Sequence, residues 1–340
     1  MDLHKILREI AFYSTGITVA FVVAGLSLIL MGHDILKGYY TLFFTSFSSL
    51  SGISLTILKF IPLLLMSLGF AIPLMARKYN VGVEGQFLLG AIGAVTVAFS
   101  LSSLPGPILI TLILTGGVIF GAAWALIPAL MLYKFNVNEI ISTILLNFIS
   151  FYLVDYIATG PWRDVFAGHP MTLPIPDQGI LPLIIQNPQI NMGFILALLF
   201  PFLAYLYVYR TVRGYELRAV GANPRASMIF GINTNYIAPL SLIIGGMLSG
   251  LAGSIEVAGL HYRLIEGMHS NYGSLSILIA LICKGNPIGV ILTSFFISVI
   301  EIGASGMQRT MGVPVELIFI VEALILLFIL MADVVKARKK

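Results

Sequence analysis

Charged residues are scarce in this chain of 340 amino acids: they make up 10% of it, whereas hydrophobic residues make up 58%. Soluble globular domains carry about 25% charged residues. A soluble fold of this length would therefore lack the polar side chains that cover a surface in water. Residues 10–31 and 192–209 contain no charge at all, and a bilayer is crossed by about 20 apolar residues. The composition predicts a chain whose solvent is mostly lipid.

Cysteine is almost absent too, with Cys283 as the single one. One cysteine excludes an intrachain disulfide framework and a zinc site built from several cysteines of this chain. The phosphate loop G-x-x-x-x-G-K-[ST] is also missing, and no lysine directly follows a glycine, which excludes an ATPase site of that kind. No Ser-His-Asp set or pair of carboxylates can be assigned to catalysis. We therefore predict a protein that is not itself an enzyme and that binds no cofactor and no metal.

A short polar segment holds two histidines, His261 and His269, which flank Arg263 and Glu266. A zinc site needs three or four clustered ligands, and two histidines eight residues apart without a third ligand are weak support for one. Docking of another protein explains this segment better. Glu256, just before it, falls near the outer end of a hydrophobic stretch, where water reaches it.

Hydrophobic stretches separated by polar breaks predict an all-α polytopic membrane protein with about ten transmembrane helices, some of them broken or short. The first stretch is long and lacks a small-residue cleavage site, so it is interpreted as a retained span rather than a signal peptide. Residues 1–340 are assigned to one transmembrane domain. The predicted spans are 10–31, 53–76, 86–101, 107–133, 138–158, 192–209, 237–259, 273–283, 287–303 and 315–334.

Basic residues are distributed unevenly between the two sides of the membrane that these spans define. Of the 19 lysines and arginines, fourteen fall on one side, four on the other and one, Lys59, within a span. Because cytoplasmic segments are enriched in lysine and arginine, the N-terminus and the C-terminus are both predicted to be cytoplasmic. The four outer residues are Lys37, Arg163, Arg263 and Arg309. The inner ones are Lys5, Arg8, Arg77, Lys78, Lys134, Arg210, Arg213, Arg218, Arg225, Lys284, Lys336, Arg338, Lys339 and Lys340.

Several spans depart from an uninterrupted apolar helix. Residues 273–283 are about half as long as a full crossing, Pro62 and Pro73 interrupt the second span, and the third opens from the polar residues 80–86. Broken helices occur in membranes where they line a cavity or pack in protein, so these features favour a transporter over an anchor. One span also carries small residues at every fourth position, which predicts a seam where another helix packs closely. These residues are Gly246, Gly250 and Ser254.

Two longer polar connections differ in character. The outer one, residues 159–191, is rich in proline, glycine and asparagine, which predicts an extracellular loop. The inner one, residues 210–236, is charged. There, Asn223 before Pro224 is typical of an N-cap followed by proline in the first helical turn. We expect two short helices that lie either against another protein or on lipid headgroups at the cytoplasmic face.

Polar side chains at membrane depth are costly and are therefore candidates for function. Glu139, Thr143 and Asn147 recur every four residues, so they project from one face of a helix, with Asn138 and Ser142 beside them. Such amide, hydroxyl and carboxylate groups can hydrogen-bond a polyhydroxylated or heterocyclic solute. The alternative is polar packing between helices, which uses the same residue types.

A second polar set lies in the glycine-containing segment 80–86, with Gly82 and Gly85. The glycines indicate a bend or a half-helix end with exposed backbone dipoles, where transporters contact their solutes. The alternative is a hinge that satisfies its own backbone. The predicted solute path therefore comprises Asn80, Glu84, Gln86, Asn138, Glu139, Thr143 and Asn147.

Four segments carry recognisable patterns: NVGVEGQFLLGA (80–91), NEIISTILLNFI (138–149), GYELRAVGANPRASMIFGI (214–232) and YGSLSILIALICKGNPIGV (272–290). Together, and in this order, they resemble the signatures of permease subunits in the ABC-importer family that handles simple sugars, nucleosides and, more distantly, branched-chain amino acids. The third segment resembles the cytoplasmic coupling loop that docks in a groove of the partner ATPase. The docking residues implied by the resemblance are Glu216, Arg218, Gly221, Asn223, Pro224, Ala226 and Gly231.

The family resemblance also implies the other parts of the machine. ATP and Mg²⁺ would be hydrolysed on a separate cytoplasmic ATPase, an extracellular binding protein would deliver the solute, and a second permease chain, related or identical, would complete the path. N-x-G-x-E-G-Q followed by N-E-x-x-S-T-x-x-L-N resembles the nucleoside branch. We therefore predict an ABC-importer permease in the cell membrane, with a nucleoside as solute and a simple sugar of the ribose or galactose type as the alternative.

Two other classes stay open. An ion-coupled secondary carrier would use Glu139 as its proton site, and its uptake would follow the proton gradient without ATP hydrolysis. A polytopic membrane enzyme would use Glu84, Glu139 and the histidines, and the purified chain alone would turn over its substrate.

Overall fold

A computed structural model of the chain describes residues 28–268 and 271–314 continuously and, outside these ranges, only 18–19, 21–23, 25–26, 319–320, 323–324 and 327. The described chain is mainly helical, as its composition predicts. It divides into two compact units: residues 57–295 form one, and the residues on both sides of this range form the other.

From residue 31 onwards, the helices follow one another with short connections and one long one. The long connection, between α5 and α6, contains a 3₁₀ turn at Asp177–Gly179 and a small antiparallel hairpin of β1 (Leu183–Ile185) and β2 (Ile190–Asn191). The helices are α1 (Ile35–Phe44), α2 (Leu50–Met75), α3 (Val83–Ser100), α4 (Gly106–Phe135), α5 (Glu139–Thr159), α6 (Gly193–Arg210), α7 (Val212–Ala222), α8 (Pro224–Ile229), α9 (Thr234–Glu256), α10 (Tyr272–Ile282) and α11 (Gly289–Met311).

Seven helices in the described part of the chain are long and apolar enough to cross a bilayer: α2 to α6, α9 with its extension to His261, and α11. Each matches one predicted span. The predicted span at 273–283 is α10, whose 11 residues rise about 16 Å, half of a bilayer core. Half of the predicted span at 10–31 and most of the one at 315–334 lie outside the described residues. The count of ten spans and the orientation of the two termini therefore stay predictions.

The prolines of the second span do not interrupt it. Pro62 and Pro73 both lie within the continuous helix α2, contrary to the expectation of a break. A proline removes one hydrogen bond from its helix, but membrane helices tolerate it where a neighbouring group bonds the freed carbonyl oxygen.

Inside the unit of residues 57–295, α3, α4 and α9 pack along the small-residue seam. A Cβ at Gly250 of α9 would overlap the carbonyl oxygen of Gly117 on α4, and a Cβ at Gly90 of α3 would overlap Gly250 itself. Gly246 and Ser254 also contact α4. Since only glycine permits such close backbone contacts, the predicted packing seam is confirmed.

The long connection is bonded to the segment that follows α9. The N–H of Thr172 donates to the carbonyl oxygen of Leu264 at 2.9 Å, and the N–H of Ile175 donates to that of Tyr262 at 2.7 Å. A connection predicted as a loop is therefore held in place by backbone hydrogen bonds.

The flanking unit brings α1 and the following turn against residues 296–311 of α11. The hydroxyl of Ser46 donates to the carbonyl oxygen of Val299 at 3.0 Å. A Cβ at Gly303 would overlap the backbone of Leu42, so these two segments touch backbone to backbone.

Candidate functional site

The first predicted solute-path residues lie between α2 and α3. We call this segment, residues 76–86, the polar turn; it comprises the connection 76–82 and the first four residues of α3. Asn80 is fully buried and donates from Nδ2 to the carbonyl oxygen of Gly69 at 3.2 Å. Gly69 lies four residues before Pro73, so its carbonyl is the one that the proline leaves without a helical donor. Asn80 therefore replaces the hydrogen-bond donor that Pro73 removes from α2.

Asn80 and Gln86 form a reciprocal amide pair. Each side-chain nitrogen donates to the other's oxygen at 2.9 Å, and Gln86 is 1% exposed. Buried primary amides need partners for donor and acceptor alike, and here each amide supplies them for the other. The structure thus brings these two predicted residues together and joins the start of α3 to α2.

Asn147 of α5 caps the N-terminus of α3 from another helix. The N-cap residue of α3, Gly82, makes no side-chain cap bond, and the Oδ1 of Asn147 accepts the N–H of Gly85 at 2.9 Å. N-cap side chains ordinarily bond the N–H of the second or third helical residue, and Gly85 is the third. The Nδ2 of Asn147 also donates to the carbonyl oxygen of Val81 at 2.9 Å. Asn147 therefore holds both the turn and the helix that follows it.

Glu139, Thr143 and Asn147 lie on one face of α5, as predicted, because all three meet the polar turn. Glu139 is 7% exposed, and its Oε2 lies 3.3 Å from the Nζ of Lys78. A Cβ at Gly82 would lie 2.9 Å from the Cβ of Thr143, so the backbone of the turn packs directly on that residue. Members of the two polar sets recognised separately in the sequence thus form one cluster.

Two predicted path residues lie apart from this cluster. Asn138 is exposed, and its Oδ1 caps α5 by accepting the N–H of Ile140 at 2.8 Å. Glu84 points away from Gln86, since residues two apart in a helix are rotated by about 200°. Glu84 is 8% exposed, and its carboxylate lies against the backbone at the start of α10, near the N–H groups of Asn271 and Gly273.

Sequence reasoning missed Trp124 of α4. Its Nε1 is buried and has no hydrogen-bond partner among the described residues, and it lies 3.1 Å from where a Cβ of Gly85 would be. Buried donors without a partner are rare. This N–H is an open hydrogen-bonding position beside Asn147, and no sequence pattern marks a single tryptophan in a long apolar helix.

The two short helices expected in residues 210–236 are α7 and α8. Asn223 caps α8, its Oδ1 accepting the N–H of Ala226 at 3.1 Å, with Pro224 as the first helical residue. Gly231, after the end of α8, has a φ of +81°, a conformation in which glycine commonly ends helices. The predicted cap is confirmed.

The buried side of α7 contacts the end of α2. A Cβ at Gly221 would overlap the carbonyl oxygen of Met75, so a larger residue requires one of the two backbones to move. Met75 is the last residue of α2, directly before the polar turn. Gly221 therefore lies on the buried side of α7, at the contact between this helix and the end of α2.

Charged side chains on α7 make contacts within the chain. Glu216 accepts from the Nη1 of Arg213 at 2.9 Å, and the guanidinium of Arg218 lies 5.0 Å from the ring centroid of Tyr209. The Nε of Arg218 is buried without a partner among the described residues. Glu216 and Arg218, which the sequence suggested as neighbours in one docking element, thus have different partners.

The end of α8 exposes large apolar side chains. Ile229 is 85% exposed and Phe230 is 83% exposed, beside the exposed Asn223 and Pro224 and the half-buried Ala226. In a membrane protein, such exposed apolar side chains contact either lipid or another protein. Sequence reasoning omitted Ile229 and Phe230, because a six-residue helix is too short for hydrophobic periodicity to show which face is buried.

The segment with the histidines does not form a metal site in the described part of the chain, where no group of three or more His, Cys, Asp and Glu could hold an ion. The Nε2 of His261 lies 3.3 Å from the Oε1 of Glu256, and Arg263 lies 3.5 Å from the Oδ2 of Asp164. Glu256, expected to be near water, is 3% exposed, because the helical segment continues past it to His261. His269 lies outside the described residues.

The chain is similar over nearly its whole length to permease proteins of ABC transporters. A family model described as "Branched-chain amino acid transport system / permease component" matches residues 52–330. The glucose ABC transporter permease protein TsgB13 of Haloferax volcanii is 30% identical, with 94% of this chain and 87% of that protein covered. The guanosine ABC transporter permease protein NupP of Bacillus subtilis is 29% identical, with 92% and 91% covered. The nucleoside ABC transporter permease protein NupB of Lactococcus lactis is 28% identical, with 95% and 91% covered.

In the same two bacteria the chain is also similar to a second permease protein, NupQ and NupC respectively. No solved structure shows a significant match.

Proposed function

Since this chain belongs to the permease-component family of branched-chain amino acid transport systems, we propose that it is the membrane-spanning permease of an ABC importer that translocates a nucleoside. The observation that carries the proposal is its similarity, over 92% and 95% of its length, to permeases named for guanosine and for nucleosides. The seven candidate spans support a multi-pass protein of the cell membrane.

A simple sugar is the second candidate for the solute. The 30% identity to a glucose permease, over 94% of this chain, favours it. Both solutes carry several hydroxyl groups, so amide and carboxylate groups in a membrane path suit either one. Nucleoside is placed first because two relatives named for nucleosides cover the chain equally well.

In this proposal the chain binds no cofactor, and a separate cytoplasmic ATPase binds and hydrolyses ATP with Mg²⁺. The exposed Ile229 and Phe230 dock in that ATPase. Gly221 then transmits the movement, since its backbone contact with Met75 is too close for α7 to shift without α2.

The polar turn borders the solute path and receives this movement. α2, α3 and α5 meet in it through Asn80, Gln86 and Asn147, so displacement of α2 rearranges these polar contacts within the membrane. The N–H of Trp124 adds a free donor at the same place. Access to the path alternates between the two sides as the turn moves.

A second permease chain completes the path. Two different permease proteins similar to this chain exist in each of two bacteria, which supports a related partner rather than an identical one. An extracellular binding protein delivers the solute at the outer segment around Arg263, to which the long connection is bonded.

The function is tested by solute uptake into vesicles that contain the whole complex, assembled with the ATPase and permease encoded by neighbouring genes and supplied with the binding protein. We expect labelled guanosine to accumulate only with ATP, and unlabelled glucose not to compete. ATP-dependent accumulation of glucose alone would select the sugar. A secondary carrier would instead show uptake driven by a proton gradient without ATP, abolished by Glu139→Gln. Conversion of the solute by the purified chain would select the membrane enzyme.

A further inference from the structure

The start of α10 follows α9 and its extension after a short connection. α9 passes into a π-helical segment at Val257–His261, and α10 begins after Asn271, which has a φ of 58° and makes no side-chain cap bond. The first N–H groups of a helix have no partner within the helix. In a membrane, such groups need partners from elsewhere in the protein.

Glu84 of α3 supplies a partner for the start of α10. Its carboxylate lies close to the backbone N–H groups of Asn271 and Gly273. A Cβ at Gly273 would lie 2.7 Å from the Oε2 of Glu84, so the carboxylate sits directly on the backbone. A negative charge at a helix N-terminus interacts favourably with the helix dipole. Lys59 of α2 is close enough to interact electrostatically with the same carboxylate and compensates its charge.

Tyr272, the first residue of α10, is held by three other helices. The Nζ of Lys59 lies 4.3 Å from the centroid of its ring, and Phe87 of α3 packs edge-to-face at 5.7 Å. Its hydroxyl donates to the Oε1 of Glu256 on α9 at 3.2 Å. Tyr272 is 5% and Glu256 is 3% exposed, so these contacts are made away from water, where charged interactions are strongest.

We propose that Lys59, Glu84 and Glu256 are positioning residues that clamp the N-terminus of α10 and fix this half-helix to α2, α3 and α9. The inference deepens the proposed function, because α10 would then move with these three helices during transport. Substituting one of these residues leaves a buried charge or a backbone N–H without its partner. The resulting loss of stability is larger than the net stability that the contact contributes. Glu84, predicted from the sequence as a solute-path residue, acts here through α10.

The chain carries a natural reporter for the position of α10. Cys283 is its single cysteine and directly follows α10 as the C-cap residue. Its Sγ lies 2.9 Å from the Oγ1 of Thr293 on α11, and the side chain is half-buried. Loosening of α10 exposes this thiol, so its rate of alkylation measures the clamp without an introduced cysteine.

The test is the labelling rate of Cys283 by N-ethylmaleimide in membrane vesicles containing the assembled complex. We expect Glu84→Ala to raise the rate about tenfold, as for loss of one hydrogen bond to a charged group. Glu84→Gln should raise it less, because an amide oxygen still accepts an N–H. The matched control is Asp34→Asn, since the Oδ1 of Asp34 caps α1 by accepting the N–H of Lys37 at 3.0 Å; its labelling should equal that of the unmodified chain.

A charge-pair rescue separates the clamp from a general loss of structure. Lys59→Met alone should raise labelling and lower the maximal uptake rate without changing the KM for the loaded binding protein. Lys59→Met with Glu84→Gln removes both charges, and both readouts should return towards those of the unmodified chain. The proposal is overturned if Glu84→Ala and Lys59→Met label at the unmodified rate, or if the double variant is worse than either single one. Labelling of Cys283 does not require transport. Failure of nucleoside uptake would therefore refute the proposed function, while the labelling rates would still test the clamp.

Discussion

Asn80 offers a direct test of how this chain tolerates a proline inside a membrane helix. The carbonyl oxygen of Gly69 lacks a helical donor because residue 73 is proline, and the Nδ2 of Asn80 donates to it at 3.2 Å. In Pro73→Ala, the new N–H reaches the same carbonyl by ordinary helix geometry. The effect of Asn80→Ala should therefore depend on whether residue 73 is proline.

The magnitude follows from the groups that Asn80→Ala leaves unpaired. With Pro73 in place, these are the carbonyl of Gly69 and both polar atoms of Gln86, all buried. One buried unsatisfied group costs about 1–3 kcal/mol, whereas hydrogen bonds measured between membrane helices average about 0.6 kcal/mol. We expect a loss of about 2–4 kcal/mol in the free energy of unfolding for Asn80→Ala. With alanine at position 73, the loss should be smaller by about 1 kcal/mol, since Gly69 keeps a donor.

The measurement is unfolding of the unmodified chain, both single variants and the double variant in mixed micelles titrated with SDS. The helix-propensity gain from replacing Pro73 appears in both backgrounds and cancels in the cycle. A coupling energy below about 0.5 kcal/mol, the usual limit for independent sites, would show that Asn80 does not serve the carbonyl of Gly69.

Three further predictions concern the cap, the contact with α2 and the docking surface. Asn147→Leu leaves the N–H of Gly85 without a partner and should lower the free energy of unfolding by about 1–3 kcal/mol; uptake should fall while the complex still assembles. The control is Asn235→Leu, at an exposed position, and equal stability of the two variants would show that Asn147 does not cap α3. Gly221→Ala overlaps the carbonyl of Met75 and should lower the free energy of unfolding by about 1–3 kcal/mol; unchanged stability and unchanged uptake would contradict the close contact. Ile229→Asp should weaken copurification of the ATPase about tenfold. Val165→Asp makes the same kind of change in the long connection and should not weaken it; normal copurification of both variants would show that Ile229 is not part of the docking surface.

The sequence predicted the elements that depend on local interactions. Seven spans follow from runs of apolar residues, and the cap of α8 follows from Asn223 and Pro224, because each element forms its bonds within a few residues of chain. The common face of Glu139, Thr143 and Asn147 follows from helical periodicity in the same way.

The start of α3 shows where such reasoning stops. The predicted span began at residue 86, because residues 80–85 include two polar residues and two glycines, and Gly82 has no side chain to cap a helix. The cap comes from Asn147, more than sixty residues later, so no local pattern shows that the helix begins at Val83. Consequently Glu84 was placed with Gln86, although within one helix they point in different directions.

Gly221 and Glu84 show the same limit for function. A motif resemblance implied that Gly221 belongs to a docking element, and the polar, glycine-containing segment predicted Glu84 in a solute path. In the structure, contacts join Gly221 to Met75 and Glu84 to the start of α10. The sequence by itself determined that this chain lives in lipid, where its helices run and which family it resembles. Only the tertiary structure decided which polar group satisfies which, because in a membrane the partner of a buried donor or carboxylate is another helix, and its identity depends on packing between distant segments.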